Sequence, residues 1–345
     1  MRSLHRRFGK VILICLIVFI TWMLVVDKAL YLKHSGVESF LGIFDSSPLD
    51  ISKRNSEVVS QRLNLIRKND TTVLNDIFIC VKTTKKFHKV RMQVLLDTWI
   101  SLARNQTYIF TDEIDTDLAD KIDVSHIINT ECRADHHRTA LVCKMAQEFD
   151  WFINSKKRWF CHFDDDNYVN IDGLVTFLQQ YNHTDDWYLG RPSLSHPIEV
   201  VDRITNQKIA FWFATGGAGM CISRSLALKM VPHAGGGRLM KTASNIRLPD
   251  DCTIGYVINT LLNVELTVIK RFHSHLEALK KIRITDIKDQ LTFGFALDKT
   301  KAVVDIPGFP EEKDPTRFWS IHCHLYPELK QCLTGEISHI NITIA

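Results

Sequence analysis

Three adjacent carboxylates, Asp164, Asp165 and Asp166, end the apolar run Arg158-Trp159-Phe160-Cys161-His162-Phe163. The run reads as a strand, and Asp164 and Asp166, two apart, project to the same face of an extended backbone. Like charges this close repel one another. A divalent cation would relieve the repulsion, and oxygen ligands suit Mg²⁺ or Mn²⁺. An acidic surface turn is the competing reading. An EF-hand calcium loop is excluded by spacing: counted from Asp164, Tyr168 stands fifth, where a ligand oxygen is needed, and no glycine stands sixth.

Three further constellations carry chemistry. Leu248-Pro249-Asp250-Asp251-Cys252 precedes an apolar run over 254–262. Either aspartate there suits a helix N-cap, and a carboxylate facing a cleft instead serves as a general base. In Arg271-Phe272-His273-Ser274-His275 the two imidazoles stand two apart, on one face if the segment is a strand. Ordinary polar strand ends are the alternative. Ala214-Thr215-Gly216-Gly217-Ala218-Gly219 permits a tight turn or close backbone approach to a ligand. It is not a nucleotide P-loop, since no Gly-Lys-Ser/Thr follows. The chain also lacks the H-E-x-x-H of zinc proteases and the G-x-S-x-G of serine hydrolases.

The elements that must hold these residues alternate. Residues 76–82 form a β-branched strand, 88–99 a helix of near 3.6 period, 108–111 a strand, 122–128 a third, 140–153 a helix and 159–163 a central strand. That order predicts an α/β fold around a mostly parallel sheet, with helices on both faces. Ligands collect at the carboxyl ends of such strands, where the three acids stand.

The N-terminus sets the compartment. Arg2, Arg6, Arg7 and Lys10 precede an uncharged run over 11–26, and bulky residues follow where a signal peptidase needs small ones. The reading is a cytosolic tail at 1–10, a transmembrane signal anchor at 11–26, a luminal stem at 27–75 and a catalytic domain at 76–345. A short span fits the thinner membranes of the early secretory pathway. Acceptor triplets at Asn69, Asn105, Asn182 and Asn341 agree with a luminal address. Of the 9 cysteines, Cys15 lies in the apolar run and the rest face an oxidising compartment. Cys132 and Cys143 bracket one polar stretch and Cys323 and Cys332 another; zinc is the rival use, but no C-x₂-C pair exists. Net charge is +4 with scattered Lys and Arg, which does not imply nucleic acid.

Taken together, Val81-Lys82-Thr83-Thr84, Leu95-Leu96-Asp97-Thr98-Trp99, Phe163-Asp164-Asp165-Asp166-Asn167-Tyr168-Val169, Gly216-Gly217-Ala218-Gly219, Leu248-Pro249-Asp250-Asp251-Cys252-Thr253 and Phe272-His273-Ser274-His275-Leu276-Glu277 resemble the Fringe glycosyltransferases. The likeness runs from about residue 76 to 332, in order. It implies a Golgi type II membrane protein of GT-A fold. Such an enzyme transfers N-acetylglucosamine from UDP-GlcNAc in β1,3 linkage to O-linked fucose on EGF-like repeats of Notch, modulating Notch signalling. By matching positions, Asp166 and His275 would bind Mn²⁺, Asp165 and Arg91 would contact the donor, and Asp251 would be the base. The resemblance also implies disulfides Cys132–Cys143, Cys161–Cys221 and Cys323–Cys332, leaving Cys80 and Cys252 free. A related Golgi β1,3-galactosyltransferase and a non-catalytic lectin-like binder of fucosylated repeats are the alternatives.

Overall fold

The computed structural model describes residues 71–296 and 302–335. The tail, the expected anchor, most of the stem, Asn69 and Asn341 lie outside these residues. Among the described residues no helix is long and apolar enough to cross a membrane.

The strands are β1 (Ile77–Lys82), β2 (Thr107–Thr111), β3 (Ile127–Asn129), β4 (Trp159–Asp164), β5 (Asn167–Val169), β6 (Tyr188–Gly190), β7 (Ile198–Val201), β8 (Lys208–Phe211), β9 (Met220–Ser223), β10 (Thr267–Val268) and β11 (Thr292–Gly294). Seven of them form one sheet in the order β10-β6-β9-β4-β1-β2-β3. Pairing is parallel between β1 and β2, β1 and β4, β2 and β3, and β6 and β10; β9 runs antiparallel to β4 and β6. The sheet is thus mostly parallel. β5 pairs with β11, and β7 with β8, as separate antiparallel ribbons.

The helices that position the site are α1 (Gln93–Asp97), α2 (Arg138–Ser155), α3 (Ile171–Leu178), α4 (Arg224–Ala234), α5 (Arg238–Ile246), α6 (Asp250–Gly255) and α7 (Phe318–Leu325). Strand alternation divides the core between them. Ile77, Ile79 and Val81 of β1 and Cys161 and Phe163 of β4 pack with Leu95 of α1, Leu174 and Phe177 of α3 and Ile321 of α7. Phe78 and Cys80 of β1 and Phe160 of β4 pack with Val142, Met145 and Phe149 of α2, Met230 of α4, Leu239 of α5 and Ile254 of α6. Helices therefore cover both faces, and the interiors of β1 and β4 are buried on both sides, as a parallel sheet requires.

Two elements differ from the pattern reading. The third strand begins only at Ile127, because the Asp123 carboxylate accepts the Ser125 N–H at 2.9 Å and winds Val124–His126 into a 3-10 turn. The helix expected over 88–99 is interrupted at Thr98, which has φ −108° and ψ −111°. Its hydroxyl donates to the Val94 carbonyl at 2.6 Å, a local bond that competes with helix continuation.

Disulfides join Cys132 to Cys143, Cys161 to Cys221 and Cys323 to Cys332, while Cys80 and Cys252 are buried thiols. Cys161 and Cys221 are direct register partners of β4 and β9, so that bridge staples the strand leading into the acid triplet.

Gly219 enters β9 at φ +85° and ψ 154°, a region essentially reserved for glycine. A Cβ there would lie 2.5 Å from the Phe163 ring. Gly219→Ala should cost roughly 2–5 kcal/mol of stability, combining backbone strain with overpacking. Gly237 has φ +74°, but a Cβ there would meet nothing within 4 Å, so Gly237→Ala should cost only about 1–2 kcal/mol. Thermal or urea denaturation of the two variants checks the contrast; equal losses would refute the close approach to Phe163.

Candidate functional site

The site starts where β1 and β4 end together. Lys82 is the register partner of Asp164, and alternation turns Lys82, His162 and Asp164 to the face covered by α2. The Lys82 Nζ lies 3.0 Å from Asp164 Oδ1 and 2.5 Å from Asp250 Oδ2. Burial would lower the Lys82 ammonium, but the carboxylates of Asp164, Asp250 and Glu148 hold it well above the ordinary lysine value. His162 and Glu148 are both fully buried, with Nδ1 to Oε2 at 2.5 Å. Burial alone would depress the imidazole; Glu148 outweighs it and raises the His162 pKa to about 9. His162 Nε2 lies 3.4 Å from Asp164 Oδ1. Burial would raise the Asp164 carboxyl, yet the two cations Lys82 and His162 hold it far below the usual range.

After Asp164 the chain turns through Asp165 and Asp166 before β5. The strand alternation expected to align Asp164 with Asp166 therefore stops, and the three acids take different partners. Asp165 accepts from Thr83 Oγ1 at 2.7 Å and from Arg91 at 2.6 Å. Burial pushes its carboxyl up, against those two donors. The Arg91 guanidinium lies 3.8 Å from the centre of the Phe87 ring, a cation–π contact that orients it. Asp166 Oδ2 lies 3.5 Å from Arg91 and 3.8 Å from His275 Nδ1. Its other oxygen is buried without a hydrogen-bond partner. Burial, then the charges of Asp164 and Asp165, push the Asp166 carboxyl well up.

An orphaned carboxylate oxygen beside an imidazole fits a bound divalent cation, which would satisfy the oxygen and offset the charge. Among the described residues no group of three or more His, Cys, Asp or Glu is arranged to hold a metal by itself. A cation at Asp166 and His275 would need further oxygens from a bound ligand or water.

Two loops close over this strand end. Gly216–Ala218 forms a single 3-10 turn. A Cβ on Gly217 would meet the His275 ring at 2.9 Å, so only glycine lets the imidazole approach. Asn167 is fully buried and donates to the Gly217 carbonyl at 2.7 Å and to the His273 carbonyl at 3.3 Å, tying both loops to β5. Arg191 bonds the Lys270 and Phe272 carbonyls and pairs with Glu277 at 2.8 Å, fixing the His275 loop from the other side.

Asp251 stands in the first turn of α6. Its Oδ2 accepts the Gly216 N–H at 3.2 Å and its Oδ1 the Cys252 N–H at 2.7 Å. Burial and the neighbouring Asp250 carboxylate push the Asp251 pKa up to about 6, against the Gly216 N–H and Lys82. That is poised for proton transfer near neutral pH.

The sequence expectation for α6 needs correction. Pro249 occupies the N-cap position and neither aspartate caps. Asp250 is used by Lys82 instead. Residues 271–275 are not a strand, and the two histidines do not form a ligand pair: His273 is tied to Gln290 and Glu277, whereas His275 faces Asp166. Arg91, Asp165, Asp166 and His275 do come together around one turn. The residues that sequence reading missed as site members are Lys82, Thr83, Glu148, His162, Asn167 and Arg191. Lys82 and Thr83 stand in the Val81–Thr84 motif and His162 and Asn167 flank the acids, whereas Glu148 and Arg191 offered no local signal. Asn105 and Asn182 are exposed.

A family profile described as Fringe-like matches residues 72–329. The chain is 55% identical over 263 residues to a zebrafish (Danio rerio) "Beta-1,3-N-acetylglucosaminyltransferase lunatic fringe", covering 75% of this chain and 70% of that protein. It is 52% identical over 262 residues to the Homo sapiens protein of the same name, covering 74% and 69%. It is 50% identical over 266 residues to the Drosophila melanogaster "Fringe glycosyltransferase", covering 76% and 64%. The profile spans both edges of the sheet and every loop that closes on the acid triplet, and on these matches the chain belongs to the Fringe-like family.

Proposed function

We propose that this protein is an inverting glycosyltransferase of GT-A type. It transfers N-acetylglucosamine from UDP-GlcNAc in β1,3 linkage to O-linked fucose on EGF-like repeats of Notch. The observation that carries the reading is that the glycine turn holds Asp251, with its pKa near 6, through the Gly216 N–H, while the next residue of the turn, Gly217, packs on the His275 ring that faces Asp166 and, beyond it, Arg91 and Asp165. The names of the relatives support the sugar and the linkage.

The donor is α-linked and the product β-linked, so a single displacement inverts the anomeric carbon. The acceptor hydroxyl oxygen bonds to that carbon as the bond to the diphosphate oxygen breaks. The hydroxyl proton passes to the Asp251 carboxylate. Asp251 is held for this by the Gly216 and Cys252 N–H groups. Arg91 and Asp165 face the donor. Asp166 and His275 would hold Mn²⁺, an imidazole-plus-carboxylate set that suits Mn²⁺ better than Mg²⁺. Bound there with the donor diphosphate, the ion supplies charge neutralisation for the leaving group. In the cell we place the enzyme in the Golgi membrane, held by residues 11–26 with the folded unit luminal.

Asp251→Asn should lower kcat by about 10²–10⁴-fold while UDP-GlcNAc affinity and thermal stability stay close to wild type. A variant that keeps most of its turnover means the base lies elsewhere. Because burial and Asp250 raise the Asp251 pKa to about 6, the carboxylate is ionised above that pH. Activity should be full above it and be lost as pH falls through about 6, an acid limb that Asp251→Asn abolishes. Mn²⁺ should raise the melting temperature of the wild-type chain by binding only the folded state, and Asp166→Ala should remove that shift together with activity. Full transfer in excess EDTA would exclude the metal.

A further inference from the structure

Polar and titratable groups reach Asp251 from several elements. Asp250 precedes it on α6 and the Cys252 thiol follows it. Lys82 approaches from β1, Tyr188 from β6, and the Gly216 N–H from the glycine turn. Of these, Lys82 brings the positive charge, and it is held at two points. It grips Asp250 Oδ2 at 2.5 Å and Asp164 Oδ1 at 3.0 Å, and the side chains of Lys82 and Asp250 are only 11% and 5% exposed. Asp164 is held in turn by His162 at 3.4 Å, and His162 by Glu148 at 2.5 Å. A continuous chain of alternating charges thus runs from α2, beneath the end of β4, to the first turn of α6. A buried carboxylate without a partner would be costly, and Asp250 is 3% exposed.

We propose that Lys82 is a positioning residue for the transfer reaction: by gripping Asp250 against the end of β4, it fixes the first turn of α6 and balances the carboxylate next to Asp251, so that Asp251 stands as an anion in the cleft. The proposal rests on Asp251 being the base. It assigns Lys82 and Asp250 a shared role through Asp251, without contact with either sugar. Cross-strand pairing supplies the geometry. Lys82 and Asp164 are opposite one another in the β1–β4 register, so the lysine cannot leave without vacating the strand end.

The test compares kcat/KM against pH for the full-length chain with Mn²⁺, UDP-GlcNAc and a fucosylated EGF-like repeat. The variants are Asp250→Asn, Lys82→Met/Asp250→Asn, Lys82→Arg and Asp251→Asn. Asp250→Asn leaves Lys82 paired with Asp164 and the double variant leaves Asp164 with His162 at 3.4 Å; circular dichroism and the melting temperature verify that both fold. Asp250→Asn removes a negative charge beside Asp251 and should move the acid limb down by roughly one pH unit. Adding Lys82→Met removes the compensating positive charge and should move the limb back up toward the wild-type position, with UDP-GlcNAc affinity unchanged. Lys82→Arg, which keeps the charge, should leave the limb in place. A purely structural lysine predicts the same limb for Asp250→Asn and for the double variant. If those two limbs coincide while Asp251→Asn is inactive, the inference falls and the base assignment stands. If Asp251→Asn retains turnover, the base assignment falls and takes the inference with it.

Discussion

The parallel register between β1 and β4 is the constraint on which the site depends. It sets Lys82 opposite Asp164 at a shared carboxyl end. A slip of one residue would turn Lys82 into the apolar face that holds Val81 and leave Asp164 and Asp250 without their cation. The apolar residues before the strand ends, Phe78 and Cys80 on one face and Ile79 and Val81 on the other, are buried on both sides of the sheet. Burial of greasy residues in the strand interior thus places the charges at its tip.

Those charges are expensive to bury and are arranged to offset one another. His162 and Glu148 lie in the core with no exposure, and Lys82 and Asp164 carry the sequence of alternating sign outward to the cleft. The three acids of the triplet end in three electrostatic states. Asp164 is held as an anion by two cations, Asp165 is shared between Thr83 and Arg91, and Asp166 keeps an oxygen with no partner. Arg91 stands 3.5 Å from Asp166, whereas Lys82 meets Asp164 at 3.0 Å, so added positive charge fits Asp166 better than the first acid.

The loops that complete the site gain rigidity from residues outside the chemistry. Asn167 bonds the glycine turn and the histidine loop at once, and Arg191 clamps the histidine loop to Glu277. Gly217 lets the His275 ring approach the turn, and β11 packs its Gly294 against the backbone at Ser274 and His275. Catalytic groups borne on loops need such support, since small displacements of a reacting group are costly in rate.

Sequence alone determined the strand that ends in three acids, the glycine turn, the helix that begins at Pro249-Asp250, and the alternation that makes a mostly parallel sheet. Each is a local pattern: period 2 or 3.6, a turn residue, or a run of like charge. The motifs that carry the family resemblance are likewise short and contiguous. What the tertiary structure decided was the use of each carboxylate. Asp250 offered itself as a helix cap and became the partner of Lys82, 168 residues away in sequence. Asp164 and Asp166 read as equivalent ligands until a turn at Asp165 sent them to different partners. The two histidines read as a pair until an irregular loop separated them. Glu148 carried no local mark of its role. Local periodicity records which face a residue occupies, whereas the charge state of a buried group is set by whichever distant side chains the fold brings within a few ångströms.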